Sequence, residues 1–387
     1  MLDFNYLIST KIFFGKNKIE KLGEELKSYG KNTLLVYGGG SIKKNGLYDA
    51  VTNILTKNVI AYHELPGVQP NPRITSVRQG IKLCRSHNIQ SIIAVGGGSV
   101  IDCAKTIATG VYHHEDPWDM FLQGDSSIKK ALPIGTILTV TGTGSEMNGN
   151  AVISNQETEQ KLAIHHDLLR PRFSILDPTY TFTVPKNQTA AGTVDIMSHI
   201  FEQYFSPTKH AFVQNRLAES LLKTCINYGP LALKEPTNYE ARAQLMWTSS
   251  LALNGLLGYG KITDWATHGI EHAVSAAYDV THGTGLAILT PFWMEYVLDE
   301  ETTDQFVEYA QNVWQIKEEN NLATAKKGIE KTREFFTNLG MPKTLRDVGI
   351  DENKLEDMAE KTVLYGDFGK VKKLGKKDVL AILKNAF

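Results

Sequence analysis

Short apolar runs alternate with helix-periodic segments through the first half of the chain. Thr33 to Tyr37, Asn58 to His63, Ser91 to Val95, Leu132 to Thr139 and Phe173 to Leu176 read as strands, and Ile74 to His87 and Val100 to Thr109 as helices between them. Strands this apolar, separated by helices, predict a parallel sheet covered on both faces. After Asp177-Pro178 and Pro185 the strand signals stop. Lys186 to Phe205, Ala211 to Tyr228 and Tyr239 to Leu257 read as long helices, and Leu245, Ser249, Ala252 and Leu256 carry the spacing of a buried helix face. The pattern predicts an α/β domain over residues 1–182 and an all-helical domain over 183–387, joined directly with no flexible linker.

A chain of 387 residues is long for one core, in keeping with two domains. With a formal net charge of -1, it has no electrostatic footprint for nucleic acid or membrane. No run approaches the ~20 apolar residues of a membrane span, and the N-terminus lacks a signal-peptide pattern. Cys84, Cys103 and Cys225 are odd in number and widely spaced, which argues against a disulfide framework or a structural zinc ribbon. A cytoplasmic protein is expected.

Two of the strands end in the same tetrapeptide, Gly38-Gly39-Gly40-Ser41 and Gly96-Gly97-Gly98-Ser99, each followed by helical sequence. Free backbone N–H groups at such a turn suit an anion, and glycine lets a phosphate approach closely. Either loop alone could be an ordinary turn needing positive φ. Two in one sheet favour a dinucleotide spanning both. Asp102 either complements the helix dipole or accepts hydrogen bonds from a ligand, and Lys105 lies three residues on. A third glycine-rich segment, Thr139 to Glu146, offers hydroxyls and amides for polar contacts.

Among eleven histidines, the informative set is His199, His268, His272 and His282, together with Asp195. Asp195 and His199 are four apart on an otherwise apolar helix face, where such groups must be paired or metal-bound. His268 and His272 repeat the spacing on a second helix. Three imidazoles and a carboxylate suit a divalent transition metal; a buried His–Asp network is the alternative.

Taken together these features resemble the iron-containing alcohol dehydrogenases over essentially the whole chain, and within them the bacterial butanol dehydrogenase branch. The resemblance is carried by Phe14-Gly15-Lys16, the two Gly-Gly-Gly-Ser loops, Pro70-Asn71-Pro72, Asp102 with Lys105, and Asp116-Pro117-Trp118. Thr141 to Glu146, Leu176-Asp177-Pro178, Asp195 to His199, His268-Gly269-Ile270-Glu271-His272 and His282-Gly283 complete it.

The resemblance implies a dinucleotide-binding domain, an all-helical metal-binding domain and a site in the cleft between them. It implies Asp195, His199, His268 and His282 as ligands of iron(II) or zinc, with His272 left for proton relay. It places the pyrophosphate on Gly97, Gly98 and Ser99, and Asp102 toward the nicotinamide. Thr139, Thr143, Asn148 and Lys161 would contact the nicotinamide ribose or adjoining phosphate, and Asn71 the adenosine ribose. It implies a short-chain primary alcohol or aldehyde as substrate, and commonly a homodimer.

At the adenine end, Gly38 to Ser41 supplies no carboxylate to repel a 2′-phosphate, and Lys43 and Lys44 follow. NADP(H) is therefore expected to be accepted and preferred, with NAD(H) as the alternative. Trp118, Phe121, Trp265 and Phe292 are candidates for an apolar substrate pocket, or for plain packing. A glycerol dehydrogenase-like polyol oxidoreductase and a non-catalytic dinucleotide-binding protein are the rival readings. Dehydroquinate synthase chemistry would need clustered basic residues that are absent from Asp195 to His282, and no hydrolase motif occurs.

Overall fold

In a computed structural model describing all 387 residues, eight strands form: β1 (Lys11–Phe14), β2 (Asn32–Tyr37), β3 (Ala61–Leu65), β4 (Ser91–Gly96), β5 (Ile134–Leu138), β6 (Asn150–Asn155), β7 (Gln160–His165) and β8 (Phe173–Leu176). Six of them build one parallel sheet in the order β1-β8-β5-β4-β2-β3. The sheet's two faces bury separate apolar clusters, with Leu34, Ile92 and Ile134 in one and Leu35, Ile93 and Ile137 in the other. Alternate residues of the same strands thus point to opposite covered faces, as the continuous apolar runs require.

From β2 the chain moves outward to β3; from β4 it moves the other way to β5. The sheet therefore changes direction between β2 and β4, the place where open α/β sheets bind ligands beyond their strand ends. Both Gly-Gly-Gly-Ser loops leave the sheet there. Tyr37 pairs with Val95 and Gly96 with Leu138, so the loops after β2, β4 and β5 emerge side by side.

Several elements depart from the sequence reading. The strand expected at Asn58 to His63 runs instead from Ala61 to Leu65, because the helix Leu47–Lys57 ends in a turn that holds Val59 at φ 57. β1 and the antiparallel β6–β7 hairpin had no clear sequence signal. The first glycine loop leads only to the short turn Ser41–Lys44, whereas the second opens the thirteen-residue helix Gly98–Gly110.

The chain forms two units, Leu7–Val184 with Thr237–Ser250, and Met1–Tyr6 with Pro185–Pro236 and Leu251–Phe387. A single cut after residue 182 misses two exchanged segments. The helix Tyr239–Ala252 packs largely with the α/β unit: Trp247 meets the Phe14 ring edge-on at 6.0 Å, and the Gly142 amide donates to Ser249 Oγ at 3.0 Å. The first residues belong with the helices, the Leu2 amide donating to the Gly260 carbonyl at 2.8 Å. The helical unit has one large apolar core, including Ile196, Ile200, Leu286 and Trp293. No helix is long and apolar enough to cross a membrane. All three cysteines are buried free thiols, and burial pushes the Cys84 thiol up to about 12.

Candidate functional site

Asp195 and His199 lie on the helix Lys186–Tyr204, His268 on the helix Ala266–Tyr278, and His282 begins the helix His282–Val297. The ligand-type atoms of these four residues lie within 4.8 Å of one another. Asp195 Oδ1 stands 3.6 Å from His199 Nδ1 and 3.7 Å from His282 Nε2. The His199 and His268 rings stack with centroids 4.8 Å apart. The approach of the third helix depends on Gly283, where a Cβ would run into the Ala191 carbonyl.

Two buried carboxylates that the sequence reading did not single out orient the imidazoles. Glu202 Oε1 lies 2.9 Å from His268 Nδ1 and accepts the His268 amide at 3.0 Å; Thr267 Oγ1 also donates to it. Glu271 pairs with His282 Nδ1, and Ser275 Oγ donates to its other oxygen. In both cases a carboxylate takes Nδ1 and leaves Nε2 for the cluster, the outer-shell arrangement of metal-bound histidine. His268 Nε2 is buried and has no hydrogen-bond partner in the protein. A buried ring nitrogen without a partner is costly, and a cation would satisfy it. Donors about 2.0–2.2 Å from a tetrahedral ion stand roughly 3.4 Å apart, close to the spacings around Asp195. The residues fit a divalent metal.

Asp195, His199 and His268 are buried, while the His282 side chain keeps 23% of its surface exposed and marks the open side. His272 is partly exposed, its ring centroid 5.7 Å from that of His282. Of the four aromatic pocket candidates, only Trp265 is near, its ring 5.2 Å from that of His268. Trp118 and Phe121 stack on each other in the α/β core, and Phe292 lies under the Arg333 guanidinium. Those three are packing residues.

The nucleotide candidates gather on the α/β unit. Gly97 and Gly98 do not have positive φ; their glycine requirement is proximity. A Cβ on Gly97 would lie 3.0 Å from Val140 Cβ, and one on Gly98 would collide with Thr143. Thr139 ties to β4 through its amide and the Gly96 carbonyl at 3.0 Å. Gly40, at φ 101, does need its freedom, and open space surrounds Gly39 and Gly40. Ser41 is exposed and Ser99 partly so. Lys161 faces Ser154 across the hairpin, and Asn71 is buried at φ 50.

Asp102 is engaged within the protein: it accepts from Ser145 Oγ at 2.5 Å and from the Val152 amide at 3.0 Å. Lys105, fully buried, donates to Ser145 Oγ at 2.8 Å, Asn148 Oδ1 at 3.0 Å and the Asn150 carbonyl at 2.8 Å. Burial lowers its ammonium to about 8 against the partial support of Asp102 and Glu146. Glu146 is itself buried, raised above the usual carboxylate range by desolvation, and accepts from Ser250 Oγ. This polar lattice fixes the loop carrying Thr139, Thr143 and Asn148.

Comparison with known proteins agrees over the full length. Residues 9–178 match the iron-containing alcohol dehydrogenase model, and residues 189–387 the C-terminal model of the Fe-containing alcohol dehydrogenase family. The chain is 56% identical to NADH-dependent butanol dehydrogenase A of Clostridium acetobutylicum, covering 100% of both. It is 40% identical to the NADPH-dependent aldehyde reductase YqhD of Escherichia coli, over 95% of this chain and 94% of that one. The crystal structure of NADH-dependent butanol dehydrogenase A from Thermotoga maritima superposes with a TM-score of 0.96 at 39% identity, covering 100% of this chain and 99% of that one. The chain belongs to the iron-containing alcohol dehydrogenase family.

Proposed function

We propose that this protein is a metal-dependent, nicotinamide-linked alcohol dehydrogenase and aldehyde reductase for short-chain primary alcohols and their aldehydes, with Asp195, His199, His268 and His282 as the metal ligands. The observation that carries the reading is the convergence of these four groups around the unpartnered Nε2 of His268. Iron(II) or zinc held there supplies Lewis acidity toward the substrate oxygen, and the nicotinamide carries hydride to or from the substrate carbon. The chain's own contribution is positional. Glu202 and Glu271 hold two imidazoles in the tautomer that presents Nε2, and burial keeps water from three of the four ligands. His272, partly exposed beside His282, is the proton carrier of this reading, because imidazole titrates near neutrality.

On the cofactor side, Gly97, Gly98 and Ser99 cradle the pyrophosphate. Gly38, Gly39, Gly40, Ser41 and Asn71 serve the adenosine end, and Asp102, Thr139, Thr143, Asn148 and Lys161 the nicotinamide end. NADP(H) is the favoured form in this reading, since the Gly38–Ser41 loop carries no acid and Lys43 Nζ lies 4.6 Å from the Tyr48 ring centroid beside it. The Glu64 carboxylate, on the neighbouring strand, is occupied by the Tyr37 and Tyr48 hydroxyls at 2.5 and 2.8 Å. The NADH named for the Clostridium acetobutylicum relative weighs toward NAD(H). A side-by-side comparison of kcat/KM for NADPH and NADH tests the assignment, and a higher value for NADH overturns it.

A cytoplasmic homodimer completes the proposal. β1 pairs only with β8, leaving an outer sheet edge where a second copy could add. Sedimentation equilibrium tests that. The four-ligand set is complete, which favours an active enzyme over a retired dinucleotide-binding protein. Retained cofactor binding with no metal-dependent turnover would reverse that judgement.

A further inference from the structure

Trp265 is a large apolar residue in an unfavourable place. It precedes the helix Ala266–Tyr278 with φ 67 and ψ 20, a left-handed conformation that penalises any side chain with a Cβ and that glycine adopts freely. Its neighbours enforce it. The Asp264 carboxylate accepts from the Ala266 amide at 3.2 Å, the Lys370 amide at 2.5 Å and the Val371 amide at 2.6 Å. The Trp265 carbonyl accepts the Gly269 amide at 3.1 Å, and the indole Nε1 donates to Thr263 Oγ1 at 2.7 Å, fixing the ring. The indole lies outside the apolar core of its unit and stays partly exposed. Its edge meets the His268 ring, and its centroid is 6.3 Å from that of His199. Folding alone does not call for an indole here: glycine would relieve the backbone, and Trp265 is not part of the unit's apolar core.

Held backbone strain beside reactive groups marks a functional position. We propose that Trp265 is the apolar wall against which the alkyl chain of the alcohol or aldehyde lies, and that its bulk limits the chain length accepted. The inference rests on the proposed function and deepens it. Apolar pockets discriminate by about tenfold or more for each methylene they exclude, so one indole can set a length limit.

The test uses the metal-loaded enzyme, with Trp265→Phe and Trp265→Ala variants and metal content measured for each. The ratio of kcat/KM for octanal over butyraldehyde is expected to rise at least about tenfold in Trp265→Ala and by less in Trp265→Phe. A ratio within twofold of wild type in metal-replete Trp265→Ala overturns the assignment; if that variant loses its metal, the Trp265→Phe ratio decides in the same way. An independent readout needs no turnover. Adding 1-butanol to metal-loaded enzyme should shift the indole emission in wild type and not in Trp265→Phe, and identical shifts would count against the wall. Wild-type enzyme that holds metal and cofactor but reduces neither aldehyde overturns the proposed function, and this inference with it.

Discussion

Glu202 Oε1 engages both the amide and the Nδ1 of His268, at 3.0 and 2.9 Å, so one buried carboxylate fixes both the backbone and the ring of a residue whose Nε2 has no partner in the protein. The carboxylate shares a helix with His199, three residues earlier, and reaches across to the helix Ala266–Tyr278 that carries His268. The two helices are thus tied at the point where their side chains converge.

Removing the negative charge of these orienting groups should loosen the ion without abolishing the site. Glu202→Gln and Glu271→Gln are each expected to weaken metal affinity about 10–100-fold, the usual effect of losing an outer-shell partner. Competition with a chromophoric chelator reads this directly. Affinity equal to wild type in both variants would remove the orienting role.

Gly283→Ala should act through geometry alone. The added methyl meets the Ala191 carbonyl on the Asp195 helix, and backbone cannot yield as a flexible side chain can. A destabilisation of about 1–3 kcal/mol is expected, with metal affinity falling because His282 is pushed away from Asp195. Thermal melts of the metal-free and metal-loaded variant separate the two effects. Unchanged melting in both states would show that the helices have room to spare.

Lys105→Met keeps the bulk and deletes three donors to the loop that carries Asn148. KM for the cofactor should rise about tenfold, comparable to the loss of one or two net hydrogen bonds, with metal content unchanged. The substitution also carries a pH signature. Burial lowers the native ammonium from 10.5 to about 8. Between those values the unfolded chain binds the extra proton, so wild-type stability rises with pH relative to the variant, by up to about 1.4 kcal/mol per unit, and the difference is flat below pH 8. Urea melts of both proteins from pH 7 to 10 check the sign. A difference that shrinks toward pH 10 contradicts it.

His272→Ala tests proton transfer. The variant should keep its metal and lose at least about tenfold in kcat, with the neutral-pH limb of the rate profile displaced. An unchanged rate and profile would leave His272 without a catalytic role.

The sheet's strands at Leu34, Ile92 and Ile175 were legible because they are buried on both faces and leave an unbroken apolar run. β6 and β7 escaped because Asn150, Ser154 and Lys161 interrupt their apolar residues, so the unbroken run that marks a strand buried on both faces is missing. The exchange of Thr237–Ser250 into the α/β unit was invisible for a different reason: a helix's periodicity says which face is buried, not against what. Asp195, His199, His268 and His282 could be shortlisted from spacing, and the choice of His282 over His272 needed the family resemblance. Glu202 had an available signal, since it continues the polar positions Asp195 and His199 by one further turn of the same buried helix. Glu271 lay within a quoted motif, but its partner Nδ1 of His282 is eleven residues away and meets it only through the fold.

Whether a metal at Asp195, His199, His268 and His282 carries the reaction is decided by stripping the purified protein of metal and following NADPH and NADH oxidation with butyraldehyde before and after adding iron(II) or zinc. Turnover is expected to be absent without metal, restored by either ion in the wild type, and not restored in His268→Ala, which should still bind the cofactor. Full turnover by metal-free protein, or equal restoration in His268→Ala, would contradict it.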